Sequence, residues 1–513
     1  MVEYKVLITT SGIGSRLGKL TNYTNKCLVR VGDIPAISHI IESYPIETKF
    51  VITLGHYGDY VRQFLELTYD DRDFTFVNVD KYEGDGSSLG YSIRAAESEL
   101  QCPFIFHASD TILPNLEIPN TNLNWCVGAY KKETSQYRTL KISDGYVDCI
   151  NEKGEINFDY PYVGVCGITE YELFWKCLEE LDNHNGLSDV HVINKMLTYT
   201  KFKFYKADMW LDIGNANELN NSRNYFAQTI DVLDKENESI FFFEDFVVKF
   251  FSDTEVSQNR VKRAELLSEL VPQMLGSTEN FYKYKKADGK LFSKSVNTKT
   301  FSEFLDWTQR ELWMPSIKST RNSDFNNLCW GFYINKTVKR INQYLDGKSD
   351  TTQIINGIKV PPIFDIIESL DKEWLSDGIP SQFHGDFILD NIIETDSGYT
   401  LIDWRQDFGG DLEVGDIYYD LAKLNHNLVV NHEIVSNGNY SSDINNCYIL
   451  CNSKLVECTN ILHDFITNAG YDLKKVKVLT SIIWINMSPL HEYPFNKFLF
   501  NYGKYTLVKE LQL

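Results

Sequence analysis

The sequence predicts an α/β domain built on a mostly parallel sheet, followed by an α+β domain. Three observations carry this expectation. Short apolar and β-branched runs alternate with helix-like stretches from residue 4 to about residue 219. A polar segment, Asp234-Lys235-Glu236-Asn237-Glu238-Ser239, then interrupts the pattern. Beyond it come one strand-like run, several helical stretches and a late strand–loop–strand. At 513 residues the chain is also too long for one core, since domains usually hold roughly 100–200 residues. The expected domains are 1–232 and 233–513.

The first strand is YKVLITT (4–10), and the glycine-containing stretch SGIGSRLG follows it at once. Further strands are expected at 50–57, 74–80, 102–110 and 124–130. The intervening helices are AISHIIESY (36–44) and SSLGYSIRAAESEL (87–100). In the second half, IFFFEDFVVKFF (240–251) reads as a strand. RVKRAELLSELVPQML, FSEFLDWTQRELW and KTVKRINQYL read as helices, FHGDFILDNII…GYTLIDW as strand–loop–strand, and the region from about Asp416 as helical.

Composition narrows the function classes. Hydrophobic residues at 43% and charged residues at 24% are a globular balance, which excludes a disordered or fibrous chain. No apolar run approaches the roughly 20 residues of a membrane span, and the N-terminus lacks the pattern of a signal peptide. A cytoplasmic protein is expected. The net charge of −21 repels polyanions, so nucleic acid is not an expected partner. Local cationic clusters and a divalent cation could still hold nucleotides. Ten cysteines without a Cys-x-x-Cys pair point to free thiols rather than a zinc site or a disulfide scaffold.

Two groups of residues carry chemistry. In the first, Gly12-Ile13-Gly14-Ser15-Arg16 leaves the first strand as a loop suited to phosphate: glycines let backbone N–H groups approach, and Arg16 adds a bidentate charge. It is not a Walker A loop, which needs Gly-Lys-Ser/Thr. Lys26 follows the loop. Asp110 and Asp212 each stand at a strand end, where open α/β sheets place ligands, and two converging carboxylates would hold Mg²⁺. In the second, His384-Gly385-Asp386 is followed by Asn391 and then by Ile402-Asp403-Trp404. An Asp on such a loop can accept the proton of an attacking hydroxyl. The Asn and the second Asp can hold Mg²⁺ on nucleotide phosphates.

Residues 4–220 resemble the nucleoside-diphosphate-sugar pyrophosphorylase-like nucleotidyltransferases, a group that includes cytidylyltransferases acting on phosphocholine. The resemblance rests on Gly12-Ile13-Gly14-Ser15-Arg16, Asn25-Lys26, Gly32-Asp33-Ile34-Pro35, His107-Ala108-Ser109-Asp110 and Trp210-Leu211-Asp212-Ile213-Gly214. It departs from the family at Asn25, where Pro is usual, and at the residues before Asp110. It implies a Rossmann-like domain in which Gly12, Gly14, Ser15 and Arg16 cradle a nucleoside triphosphate. Lys26 would neutralise developing charge, Asp110 and Asp212 would bind Mg²⁺, and Gly86, Ser87 and Ser88 would lie against the nucleobase. Tyr162-Val163-Gly164 would lie against the acceptor. The compact first domain favours CTP as the nucleotide.

Residues 240–430 resemble the aminoglycoside phosphotransferase and choline kinase family, which has the bilobal protein-kinase-like fold. The family's His-x-Asp-x-x-x-x-Asn and Ile-Asp-Trp motifs are matched at His384, Asp386, Asn391 and Asp403. The resemblance implies ATP with Mg²⁺, Asp386 as catalytic base, and His384 as a structural residue of the loop. Lys249 would contact the α/β-phosphates, with Glu265 as its helix partner and Glu269 as a rival. The family's glycine-rich loop is not evident, because residues 235–247 contain no glycine. Trp307, Trp313, Trp330 and Trp404 are read as core packing rather than as a cage for a quaternary amine.

Together the resemblances imply a bifunctional enzyme. One domain would phosphorylate a small alcohol, and the other would couple the phosphate to a nucleotide, feeding surface polysaccharide decoration. A sugar kinase joined to a sugar-1-phosphate nucleotidyltransferase is the alternative, and a binding module with one inactive domain is another. The expected partners are nucleotides and a small alcohol or sugar with its phosphate. Whether copies of the chain associate is left open.

Overall fold

The structure is a computed structural model that describes residues 4–119, 121–181, 186–226, 236–315, 323–443 and 445–513. The chain forms two compact units, Met1–Ser257 with Leu275–Tyr284, and Gln258–Met274 with Lys285–Leu513. The boundary expected at residues 232/233 lies outside the described residues.

The first unit is built on a nine-stranded sheet. Its strands are β1 (Lys5–Thr9), β2 (Lys49–Leu54), β3 (Asp73–Asn78), β4 (Phe104–Ala108), β5 (Asn124–Ala129), β6 (Thr139–Ser143), β7 (Tyr146–Asn151), β8 (Tyr160–Ile168) and β9 (Phe202–Ala207), in the order β3-β2-β1-β4-β8-β5-β9-β7-β6. Side chains on β1 alternate between faces: Val6 and Ile8 enter one core cluster and Leu7 the other. Helices α1 (Ala36–Glu42) and α2 (Gly58–Thr68) cover the first face. Helix α2 buries Val61, Phe64, Leu65 and Thr68, a stripe at helical spacing. Helices α3 (Leu89–Ala95), α4 (Tyr171–Glu180) and α5 (Asp189–Met196) contribute to the second cluster. Helix α6 (Ala216–Tyr225) buries Leu219 in a third cluster with Leu17, Val29 and Ile213.

Seven of the nine strands run in one direction, as expected of a mostly parallel sheet, and β7 and β8 run against them. Strands β3, β2, β1 and β4 are mutually parallel, but β8 runs antiparallel to both β4 and β5, and β7 runs antiparallel to β6 and β9. The β6–β7–β8 stretch has no helical crossover between its strands, and a short connection can only reverse direction. The sheet is therefore mixed.

A four-stranded sheet follows, made of β10 (Glu238–Phe242), β11 (Phe246–Phe251), β12 (Met274–Ser277) and β13 (Phe281–Lys285) in the order β10-β11-β13-β12. The run expected as one strand over 240–251 is thus a hairpin. Its aromatic side chains belong to the first unit's core: Phe64 of α2 lies 5.5 Å from Phe241 and 5.9 Å from Phe281, centroid to centroid.

The second unit is mainly helical. It contains most of α7 (Thr254–Leu267), then α8 (Thr298–Glu311), α9 (Ser323–Trp330), α10 (Lys336–Leu345), α11 (Ile417–Val429), α12 (Ser453–Asn468), α13 (Leu473–Met487) and α14 (Phe495–Leu511). A three-stranded sheet of β14 (Lys290–Leu291), β15 (Ile392–Thr395) and β16 (Gly398–Leu401) accompanies them. A five-residue π-helical turn, Gly331–Asn335, joins α9 to α10. No helix among the described residues is long and apolar enough to cross a membrane.

Candidate active sites

In the first unit, the two strand-end aspartates converge. The two-residue strands Thr111–Ile112 and Leu211–Asp212 pair antiparallel, with Asp212 opposite Thr111, and Ile213 N donates to Asp110 O at 3.0 Å. Asp212 Oδ1 and Asp110 Oδ2 both lie within 3.5 Å of the point that a Cβ on Gly214 would occupy. Only a residue without a side chain leaves that gap between the carboxylates open.

Lys26 pairs with Asp110 through Nζ and Oδ2. Burial pushes the Asp110 carboxyl up, but the Lys26 ammonium, aided by Arg16, outweighs it and holds the group below the usual carboxylate range. Asp212 behaves oppositely. Burial and then the Asp110 charge raise it, although it accepts hydrogen bonds from Tyr137 Oη at 2.6 Å and Gly214 N at 2.7 Å. A pair of carboxylates pushed apart in this way gains from a cation placed between them.

The glycine loop is arranged around Lys26. Gly14 has φ 71°, a left-handed conformation, and a Cβ there would stand 2.9 Å from Lys26 Cβ. Gly12, Ser15 and Arg16 are exposed, with open space around Gly12. Asn25 is fully buried and replaces a fixed ring with hydrogen bonds: Nδ2 donates to Thr10 O at 2.8 Å and His56 O at 2.6 Å, while Oδ1 accepts from Cys27 N at 2.9 Å. It ties Lys26 to the end of β1. Behind Asp110, His107 is buried and held at about 4, so it is neutral. Its Nε2–H donates to Thr111 O at 2.9 Å and its Nδ1 accepts from Tyr44 Oη at 2.8 Å.

The segment expected against a nucleobase is open. Gly86 is exposed with nothing near its Cβ position, Ser87 Oγ donates to Gly84 O at 2.8 Å, and Ser88 caps α3. Ser92 of α3 bonds Ser11 at 2.8 Å, which links this segment to the glycine loop. Tyr162 is buried, and its hydroxyl donates to Asp189 at 2.8 Å, an internal partner.

In the second unit, one face of α11 clasps the loop from His384 to Asn391. Asp420 accepts from His384 N at 2.8 Å and from Gly385 N at 2.7 Å. Lys423 Nζ lies 2.7 Å from Asp386 Oδ1. Asn427 Oδ1 accepts from Leu389 N at 3.0 Å. Positions 420, 423 and 427 share a face because their spacing is three and four. Gly385 has φ 85°, and a Cβ there would stand 2.6 Å from Arg405 Cβ. His384 is buried, held at about 4 by desolvation. Its Nε2–H donates to Ile402 O at 3.0 Å and its Nδ1 accepts from Asp386 N, a structural use of the ring.

Asn391 Nδ2 donates to Asp386 O at 2.9 Å and to Asp386 Oδ2 at 3.3 Å. Asp403 has φ 57° and pairs with Arg260 of α7. Arg263, also of α7, is buried and donates to the carbonyls of Phe383, His384 (3.3 Å), Arg405 (2.5 Å) and Leu412 (3.0 Å). Glu265, expected as a helix partner for Lys249, is exposed, as is its rival Glu269; the buried cation of that helix is Arg263. Lys249 lies buried in β11 of the first unit. Trp313 and Trp404 are core residues, with Trp404 Nε1 donating to Arg260 O at 2.8 Å.

Tyr137, Lys423, Asp420 and Asn427 were not singled out by sequence. The last three had a signal: polar residues recurring inside the otherwise apolar helix that holds LAKLNHNLVV.

No protein-family model matches the chain, and no curated protein matches it. Among solved structures, the N-terminal part is similar to CTP:phosphocholine cytidylyltransferase from Streptococcus pneumoniae, at 17% identity over 44% of this chain and 99% of that one, TM-score 0.37. It is also similar to the inositol-1-phosphate CTP transferase from T. maritima, at 15% identity over 45% and 99%, TM-score 0.37. A UDP-glucose pyrophosphorylase complexed with UDP-glucose matches at 15% identity over 44% and 98%, TM-score 0.38.

Proposed function

We propose that the chain is a bifunctional enzyme with a kinase domain after residue 232 and a nucleotidyltransferase domain before it. At the Asp386 loop, the hydroxyl oxygen of a small acceptor attacks the γ-phosphorus of ATP, its proton passes to Asp386, and ADP leaves. At the Lys26–Asp110–Asp212 site, a phosphate oxygen of that product attacks the α-phosphorus of CTP, and pyrophosphate leaves. The product is an activated precursor suited to surface polysaccharide decoration.

The observation that carries this reading is a pair of charged clusters, one in each unit, each built by tertiary contacts between residues far apart in sequence. Lys26 and Asp110 are 84 positions apart, and α11 reaches back 36 positions to His384. Arg16 and the loop through Gly12, Gly14 and Ser15 would hold triphosphate. Lys26 would offset charge at the α-phosphate.

Mg²⁺ fits both donor sets. Asp110 and Asp212 offer hard oxygens on either side of the Gly214 gap, and Asn391 and Asp403 offer a carbonyl and a carboxylate beside the base. When bound there, the ion supplies charge neutralisation on phosphate oxygens. Among the described residues no group of three or more His, Cys, Asp or Glu forms a cage, so nucleotide phosphates would complete each shell.

The test is mass spectrometry of products from the full chain with ATP, CTP, UTP, GTP, Mg²⁺ and a panel of alcohols and sugars. A CDP-linked product supports the reading, and an NDP-sugar moves the acceptor class. Asp386→Ala is expected to abolish ATP-dependent phosphorylation while leaving nucleotidyl transfer to a supplied phosphorylated acceptor. Loss of both activities in the folded variant would overturn the division of labour.

A further inference from the structure

A cavity of about 140 Å³ opens in the second unit beside the Asp386 loop. Its charged lining is cationic: Lys336 and Arg340 of α10, Arg405 just after Asp403, and Lys423 of α11. The loop borders it at two points, since Lys423 holds Asp386 and Arg405 N donates to His384 O at 3.0 Å. The remaining wall is mainly aromatic and aliphatic, including Phe332, Tyr419, Ile483 and Met487, with Thr337 and Asn486 as its neutral polar members.

These cations are brought together by the local fold. Lys336 and Arg340 are one helical turn apart, and the π-helical turn Gly331–Asn335 precedes them and sets Phe332 into the same cavity. Such turns occur frequently at functional sites. The Lys336 ammonium lies 4.9 Å from the Phe332 ring centroid and the Arg405 guanidinium 5.0 Å from it. Arg340 Nη1 donates to Asn486 O at 3.2 Å. Among the described residues, only Lys423 of the four has a carboxylate within ion-pair distance, and that carboxylate is the proposed base. Asp407 acts on Lys336 from farther away.

Lys336, Arg340 and Arg405 converge in a partly desolvated recess beside the paired Lys423, and the repulsion among them is offset when an anion occupies it. Guanidinium groups match carboxylate and phosphate oxygens in a bidentate geometry. A quaternary amine would meet repulsion from the same groups. We infer that the recess binds the anionic end of the phosphoryl acceptor, so that the substrate is a hydroxyl compound carrying a carboxylate or phosphate group. This rests on the kinase reading of the Asp386 loop.

The experiment is calorimetric titration of the full chain with matched probes: glycerol, glycerate and glycerol 3-phosphate, and choline as the cationic comparator. It is repeated on the Lys336→Met/Arg340→Met double variant and on Lys336→Arg as a charge-conserving control. The expected result is that an anionic probe binds the native chain at least about tenfold tighter than glycerol or choline. The double variant loses that preference and Lys336→Arg keeps it. Equal or tighter binding of glycerol or choline, no binding by any probe, or an unchanged preference in a folded double variant would each overturn the inference. A parallel assay of γ-phosphate transfer from ATP separates the two readings: anion preference without transfer to any probe removes the kinase reading and leaves the anion site.

Discussion

Lys423 holds Asp386 in an ion pair, Nζ to Oδ1 at 2.7 Å, from the same helix face whose Asp420 fixes the backbone two residues earlier. Burial alone would raise the Asp386 carboxyl; Lys423 outweighs it and holds the group low. The stability this pair contributes is present above the ordinary Asp value and is lost as pH falls through the depressed one. Lys423→Met leaves a carboxylate without that partner. We expect the acid limb of the pH profile for ATP-dependent phosphorylation to move to higher pH, with nucleotidyl transfer unchanged. An unmoved acid limb would show that Lys423 has no influence on the base.

Tyr137 plays the corresponding part for Asp212. The carboxyl is raised by burial and by Asp110, and the Tyr137 hydroxyl acts against that rise. Tyr137→Phe removes a donor at 2.6 Å, so Asp212 rises further and becomes neutral at a higher pH. Pyrophosphate release from CTP with a supplied phosphorylated acceptor should therefore fall first on the acid side. A uniform loss across pH would assign Tyr137 a packing role instead.

Much of this arrangement could be read from residue patterns, and the remainder has definable causes. The continuous apolar run in KVLIT marked β1, because a strand between two cores must carry apolar side chains on both faces. Asp110 and Asp212 were found because each ends an apolar run. The antiparallel course of β8 was not legible, since an apolar pattern has no direction. Glu265 and Arg263 lie two positions apart on α7, and helical spacing alone does not say which faces inward. The carbonyls of the Asp386 loop decide it by accepting from the arginine. Asn25, read as a departure from a family pattern, is the residue whose side chain joins three backbone groups.

That gives Asn25 a measurable weight. Asn25→Ala would leave the buried carbonyl of Thr10 and the half-buried one of His56 without this donor, at up to about 1–3 kcal/mol for each group left unsatisfied. A lowered thermal midpoint and slower nucleotidyl transfer are expected, with Lys26 displaced. Asn25→Pro keeps the observed φ of −73°, which proline favours. It should retain more activity than the alanine variant. Equal activity in both would show that the hydrogen bonds, rather than the backbone angle, position Lys26.

Arg263 supports the Asp386 loop in the same manner, donating to carbonyls of Phe383, His384, Arg405 and Leu412. Arg263→Met keeps an apolar stem but leaves these acceptors without their donor, at about 1–3 kcal/mol for each buried carbonyl left unsatisfied. Urea unfolding monitored by tryptophan fluorescence should show a lower midpoint. Arg263→Lys, which cannot span the same set of carbonyls, should recover little of the loss.

Lys336 offers a test of the anion recess that needs no substrate. Burial first, then Arg405, Arg340 and Lys423, lower its ammonium to about 7, with Asp407 acting in the opposite sense. A lysine whose folded value lies below its unfolded one opposes folding most strongly below the folded value, and the opposition fades as pH rises toward the ordinary lysine range. Lys336→Met should therefore raise the thermal midpoint of the unliganded protein near pH 6, with the gain shrinking toward pH 10. Glycerol 3-phosphate should raise the midpoint of the native chain more at pH 6 than at pH 8, because the charge that receives it is lost through about pH 7. Lys336→Arg should flatten that dependence, since a guanidinium stays charged across the range. A midpoint lowered by Lys336→Met at every pH would mean that the lysine serves as packing against Phe332 and carries no unfavourable charge.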